Sequence, residues 1–211
     1  MIIKVKFNCK LIQLQFLLFY IKNKIYCNLR ISIILLHLYQ SKHCINMESL
    51  NWFVILATGL VPLAVGAIWY GPLFGKAWMD ATDMTMEKME GANMAKMYSF
   101  ALLFGVMLAV PLTFIVIHQM GVFSALQNVG VDTPGSEANL FAQNFMSKYG
   151  TEFRTFKHGA LHGFLTGLFV FLPIMATNAL FERKSWKYIL LNVGYWTVCA
   201  MIMGGIISAW A

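Results

Sequence analysis

Four stretches of the chain are apolar almost without interruption: Trp52 to Tyr70, Tyr98 to His118, about His158 to Phe181, and Trp186 to Trp210. Each holds about the 17–25 residues that a helix rising 1.5 Å per residue needs to cross a hydrocarbon core about 30 Å thick. Such a core offers the backbone no water, so only helices or closed barrels cross it, and these runs lack the two-residue alternation of barrel strands. The pattern predicts an all-α, polytopic membrane protein with four transmembrane helices. Trp52 and Trp69 bracket the first run, and Trp186 and Trp210 the fourth, as expected for indoles at the headgroup level. Pro62, Pro111 and Pro173 fall inside the first three runs; each removes a backbone hydrogen bond and is expected to kink its helix.

The connections differ in kind. Residues 71–97 are polar and rich in methionine, whereas residues 121–157 form a longer link with a turn at Asp132-Thr133-Pro134-Gly135. In the second half of that link Phe141, Phe145, Tyr149, Phe153 and Phe156 recur every three or four positions. Gln143, Asn144, Ser147, Thr151 and Arg154 fall on the other side, with Lys148 and Glu152 nearer the aromatic face. This spacing predicts an amphipathic helix that lies in the membrane interface or caps the bundle, and that runs into the third span. Residues 182–187 make a tight basic hairpin between the third and fourth spans.

Helices in lipid gain no hydrophobic free energy by touching, so they associate through close backbone approach and interhelical hydrogen bonds. Gly159, Gly163 and Gly167 form a stripe of glycines on the third span, and Ala200, Gly204 and Ser208 a stripe of small residues on the fourth. A hairpin turning near Ser185 sets Gly163 close to Gly204–Ser208 and Asn178 close to Asn192, so the stripes meet and the two amides can hydrogen-bond. Gly71 and Gly75 share the four-residue spacing, but Pro72 between them suits a turn or helix end equally well.

Composition narrows the class. The chain has 211 residues, 59% hydrophobic and only 12% charged, about half the charge of an ordinary soluble domain. That excludes disorder, a basic nucleic-acid-binding domain and most soluble enzyme folds. The net charge of +7 resides in residues 1–46, which carry seven basic groups and no acid; the remainder balances nine against nine. Residues 1–46 also lack Gly, Ala, Pro and Trp and have apolar runs of about half a span, so Met47 is expected to be the native start. The preceding residues then read as a mis-assigned start or a disordered basic tail, and residues 47–211 as a single four-helix transmembrane domain. From Met47 onward Cys199 stands alone, so no disulfide framework can form. The first and third loops hold six basic residues against three in the middle loop. By the excess of basic residues on the cytoplasmic side, loops 71–97 and 182–187 face the cytoplasm; retaining the seven charges of residues 1–46 would invert that orientation.

Ionisable and polar residues within the apolar runs are where chemistry is expected. His158 and His162 lie four apart on one helical face, and Thr166 extends the row. Two imidazoles at this spacing can share a metal, and His118, at the end of the second run, can supply a third nitrogen or an axial haem ligand. No HExxH pattern and no neighbouring carboxylate accompany them, so the pair reads first as hydrogen-bonded polar residues, then as part of a proton or substrate pathway, then as a metal or haem site. No metal or other cofactor is assigned. The candidate polar path comprises His118, His158, His162, Thr166, Asn178 and Asn192. The methionines of the first loop suit Cu(I) chemically, but Met86, Met89, Met94 and Met97 also fit one side of a short helix starting near Thr85. There is no nucleophile elbow, phosphate loop, paired catalytic carboxylates or nucleotide fingerprint.

Several motifs carry a family resemblance: Trp69-Tyr70-Gly71-Pro72-Leu73-Phe74-Gly75-Lys76-Ala77-Trp78, His158-Gly159-Ala160-Leu161-His162-Gly163, the Asn178–Ser185 hairpin, and Asn192-Val193-Gly194-Tyr195-Trp196 followed by Ile202-Met203-Gly204. In this order they resemble the bacterial membrane family catalogued as domain of unknown function 1761, over residues 48–211. The resemblance implies a small four-helix protein of the bacterial inner membrane and brings no activity with it. The expected function is that of a non-enzymatic helix-packing or accessory protein in the lipid bilayer, partnered by further copies or another membrane protein and not by nucleic acid. The alternative is a small oligomeric transporter or channel with a polar path near His162.

Overall fold

Four helices long and apolar enough to cross a bilayer, Trp52–Leu73, Met94–Val116, Phe156–Phe181 and Trp186–Trp210, dominate the computed structural model, which describes residues 50–211. The expectations for residues 1–46, including the start at Met47, lie outside the described residues. The described part is all-helical, without strands. Each span begins at a side-chain cap. Asn51, Asn93, Thr155 and Ser185 accept from the backbone N–H three residues on, satisfying donors that the first turn leaves unpaired. The second span starts earlier than its apolar pattern suggests, at Met94, because Asn93 caps it, and it ends at Val116, which leaves His118 in the turn beyond.

The fourth span is the axis of the fold. Half of its most apolar window is buried, against 17–28% for the other three, and Ile189, Cys199, Ala200, Met203, Ile207 and Ser208 are fully enclosed. Outward-facing Phe53, Phe169, Phe181 and Leu190 are exposed, an arrangement suited to lipid rather than water. The expected glycine contact between the third and fourth spans is present, but its register differs. Gly159 lies against the carbonyl of Gly204 and the Cβ of Ser208, Gly163 against the carbonyl of Ala200, and Gly167 against the Thr197 side chain. Gly163 therefore meets Ala200 rather than Gly204–Ser208. Residues Gly167–Phe171 form a π-helical turn just before Pro173, a single-turn bulge within the third span.

The prolines act in different ways. Pro62 opens a fresh helical segment, Val61–Ile68, after a break at Gly59 and Leu60, and the Thr58 hydroxyl donates to the Ile55 carbonyl at that break. Pro111 is carried inside an unbroken helix, so its expected kink does not interrupt the second span. Pro72 lies in a second π-helical turn, Trp69–Leu73, where Gly71 leaves helical geometry. Gly71 has open space where a side chain would stand, so this glycine serves the bend and not a packing face. A contact unanticipated from sequence joins the first two spans: Gly105 lies against the carbonyl of Gly59.

The middle link does contain a helix, Glu137–Tyr149, capped by Ser136, but it does not run into the third span. Phe153 stands between them with φ 61°, a left-handed conformation costly for a bulky residue. Ala138 and Ala142 pack with Val131, Phe123 and Leu126, whereas Phe141, Tyr149 and Phe153 remain exposed. The buried face is thus the alanine face, and the aromatic face is free for the membrane interface. Met86–Met89 forms the short loop helix, with Thr85 as its cap. Met94 instead begins the second span.

Candidate functional site

Three imidazoles converge where the second span ends and the third begins. His118 occupies the turn after Val116, His158 the first turn of the third span, and His162 the next turn on the same face. The Nε2 of His118 lies 2.9 Å from the Nε2 of His158 and 3.1 Å from that of His162. One nitrogen from each ring falls within 4.8 Å of the other two, and the rings stand edge to face at centroid separations of 4.5 to 5.0 Å. Helical spacing aligns His158 with His162; only the fold adds His118, forty residues away.

The backbone around the trio is held from several sides. Gln119 is buried, and its side-chain amide donates to the carbonyls of Tyr149 at 2.9 Å and Glu152 at 2.8 Å, fastening the 149–152 loop to the turn that carries His118. The ring of Phe153 lies 5.1 Å from that of His158, and its carbonyl accepts from the Ser208 hydroxyl at 3.2 Å. Strain at Phe153 is thereby fixed beside the imidazoles, where such outliers most often serve a site. Arg154 turns towards the end of the fourth span. Its Nε donates to the Ser208 carbonyl at 2.9 Å and its Nη2 to the Ala211 carbonyl. Burial lowers its pKa from the ordinary value, but a guanidinium keeps its charge and suits the negative end of a helix. An open cleft of about 500 Å³ reaches His118 of the trio and is lined by His118, Gln119, Phe145, Tyr149, Glu152 and Phe153.

The other candidate polar residues lie apart from this cluster. Thr166, one turn beyond His162, donates its hydroxyl to the His162 carbonyl at 2.8 Å and so is used within its own helix. Asn192 lies towards the other end of the bundle, where its Oδ1 accepts from the Tyr70 hydroxyl at 2.9 Å and its Nδ2 donates to the Tyr188 carbonyl. Asn178 is exposed, and the expected amide pair does not form: Tyr70, from the first span, occupies the acceptor of Asn192 that was assigned to it. Tyr70, Gln119, Phe153 and Arg154 escaped functional notice in the sequence. The one local signal was that Tyr70 and Gln119 sit at the ends of apolar runs, where a polar side chain can reach a neighbouring element.

The chain belongs to the family described as protein of unknown function (DUF1761), whose profile matches residues 52–208. No curated protein and no solved structure matches the chain.

Proposed function

From membership of a family without an assigned activity, we propose that this membrane protein is a non-enzymatic accessory component whose working part is a ligand-binding head formed by His118, His158 and His162. It sits in the bacterial inner membrane with loops 71–97 and 182–187 towards the cytoplasm, so the head faces the opposite side together with the middle link. The observation that carries this reading is the separation of polar groups. Three imidazoles share one end, where His118 lines an open cleft, while Thr166 and Asn192 are engaged in hydrogen bonds with helix carbonyls and Tyr70. The alternative, a small oligomeric transporter with a polar path near His162, draws on the His162–Thr166 row. That row stops at Thr166, whose hydroxyl is turned back onto its own helix.

Ion flux separates the two readings. Purified protein in liposomes is expected to pass protons and small cations no faster than protein-free liposomes. Flux that exceeds this background and disappears in His162→Ala would overturn the accessory reading in favour of the transporter.

A further inference from the structure

The geometry points to the trio His118, His158 and His162 as a binding site for a divalent late first-row transition metal, Zn²⁺ being the probe ion, with the fourth coordination position open to the neighbouring cleft. This inference rests on the ligand-binding head proposed above and names its ligand.

The hydrogen-bonding capacity of imidazole argues for an ion. All the nitrogens in the two closest contacts are Nε2, and the Nε2 of His118 faces both of the others. A ring nitrogen holds one hydrogen or one in-plane lone pair, so it can satisfy one of two such neighbours and not both. A proton relay would use the two different nitrogens of each ring, one to receive and one to release. Here the rings turn the same nitrogen inward. A cation at the centre accepts lone pairs from all three and removes the conflict.

Distances agree with the same chemistry. Tetrahedral Zn²⁺ bonded to imidazole nitrogen at about 2.0–2.1 Å requires ligand atoms about 3.3–3.4 Å apart. The two Nε2 separations of 2.9 and 3.1 Å widen by a few tenths of an ångström to reach this, and the third pair of ligand nitrogens, within 4.8 Å of each other, settles onto the same ion. Imidazole suits zinc, copper and nickel, whereas calcium and magnesium prefer oxygen. The trio is also partly open, with His118 exposed and the other two half-buried, so an ion can enter from the surface. Three protein ligands leave a fourth position, the arrangement found where a metal meets water or an exogenous group. The cleft that His118 shares with Glu152 gives that position an approach.

The test uses the full chain in detergent, stripped with chelator and titrated with Zn²⁺ by calorimetry, with bound metal counted after desalting. One equivalent is expected. His118→Gln is the principal variant, because His118 lies in an exposed turn and its replacement disturbs no helix. Loss of a partner outside the coordination sphere commonly weakens metal binding about 10–100-fold, so loss of a ligand is expected to weaken it by about a hundredfold or more. His162→Ala should do the same, and a rise in melting temperature on adding Zn²⁺ should be present in the wild type and absent from both variants. Wild-type protein that takes up no Zn²⁺, or takes it up equally with His118→Gln, would overturn the metal assignment. Neither result produces ion flux, so failure here is distinguishable from failure of the accessory reading, which flux alone decides.

Discussion

The hydroxyl of Tyr70 donates to Oδ1 of Asn192 at 2.9 Å, joining the end of the first span to the fourth. Nearby, the Trp69 indole donates to the Leu191 carbonyl at 3.1 Å and the Tyr195 hydroxyl to the Pro62 carbonyl at 2.8 Å. These bonds fasten one end of the bundle, as the Gln119 and Arg154 contacts fasten the other. In an apolar surrounding such groups have few alternative partners, which makes each bond specific even where its net stabilisation is small.

Tyr70→Phe should therefore lower the melting temperature in detergent. The loss corresponds to about 0.6 kcal/mol and up to about 1.7 kcal/mol, the range for hydrogen bonds between membrane helices. Asn178→Ala, which removes an exposed amide, should leave melting unchanged. Equal melting of Tyr70→Phe and wild type would show that Asn192 finds another donor.

Gly163→Leu tests the glycine contact. A side chain at Gly163 meets the backbone of Ala200 and Met201, which cannot swing aside as a flexible side chain would. Overpacking typically costs about 1–3 kcal/mol, and the upper end is expected here. Phe169→Leu is the control, since Phe169 is exposed on the same span. Thermal melting that is equally affected in both would mean that the third and fourth spans do not pack through Gly163.

Arg154→Met keeps an apolar stem of similar length but removes the charge and the donors to Ser208 and Ala211. Fraying of the last turn of the fourth span is expected, seen as faster amide exchange over residues 205–211 with exchange at residues 189–200 unchanged. A cation at a helix C-terminus stabilises by about 0.3–1 kcal/mol, and up to about 2 kcal/mol when partly buried. Unaltered exchange in the last turn would show that the carbonyls are satisfied without Arg154.

Orientation can be read by thiol labelling in a background with the native cysteines replaced. Lys88→Cys and Lys184→Cys should react from the cytoplasmic side of intact cells' membranes and Lys148→Cys from the other. The ion pair between Lys187 and Asp80 at 3.5 Å already puts the first and third loops together; labelling them from opposite faces would contradict the four-span arrangement, and labelling Lys148→Cys from the cytoplasm would reverse the orientation.

Much of the architecture was determined by sequence alone, because the requirements of a membrane helix are local. Length and continuous apolarity located all four spans, with the fourth running from Trp186 to Trp210 as the pattern predicts. Small residues at four-residue spacing marked the face by which the third and fourth spans approach, since i and i+4 share a helix face whatever lies opposite. What lies opposite was decided by tertiary structure. Gly163 packs on Ala200 and not on Gly204–Ser208, a register set by how the two spans and their hairpin pack, which counting outward from a single turn residue cannot anticipate. Asn192 took Tyr70 rather than Asn178 because the first span packs on the fourth, and hydrophobic pattern carries no information about which span neighbours which. The three-histidine cluster divides along the same line. Spacing placed His158 and His162 on one face, but His118 joins them only through the turn after Val116 and the loop that Gln119 holds in place. A pair of imidazoles on a helix is a local property; a third converging on the same point is a property of the fold.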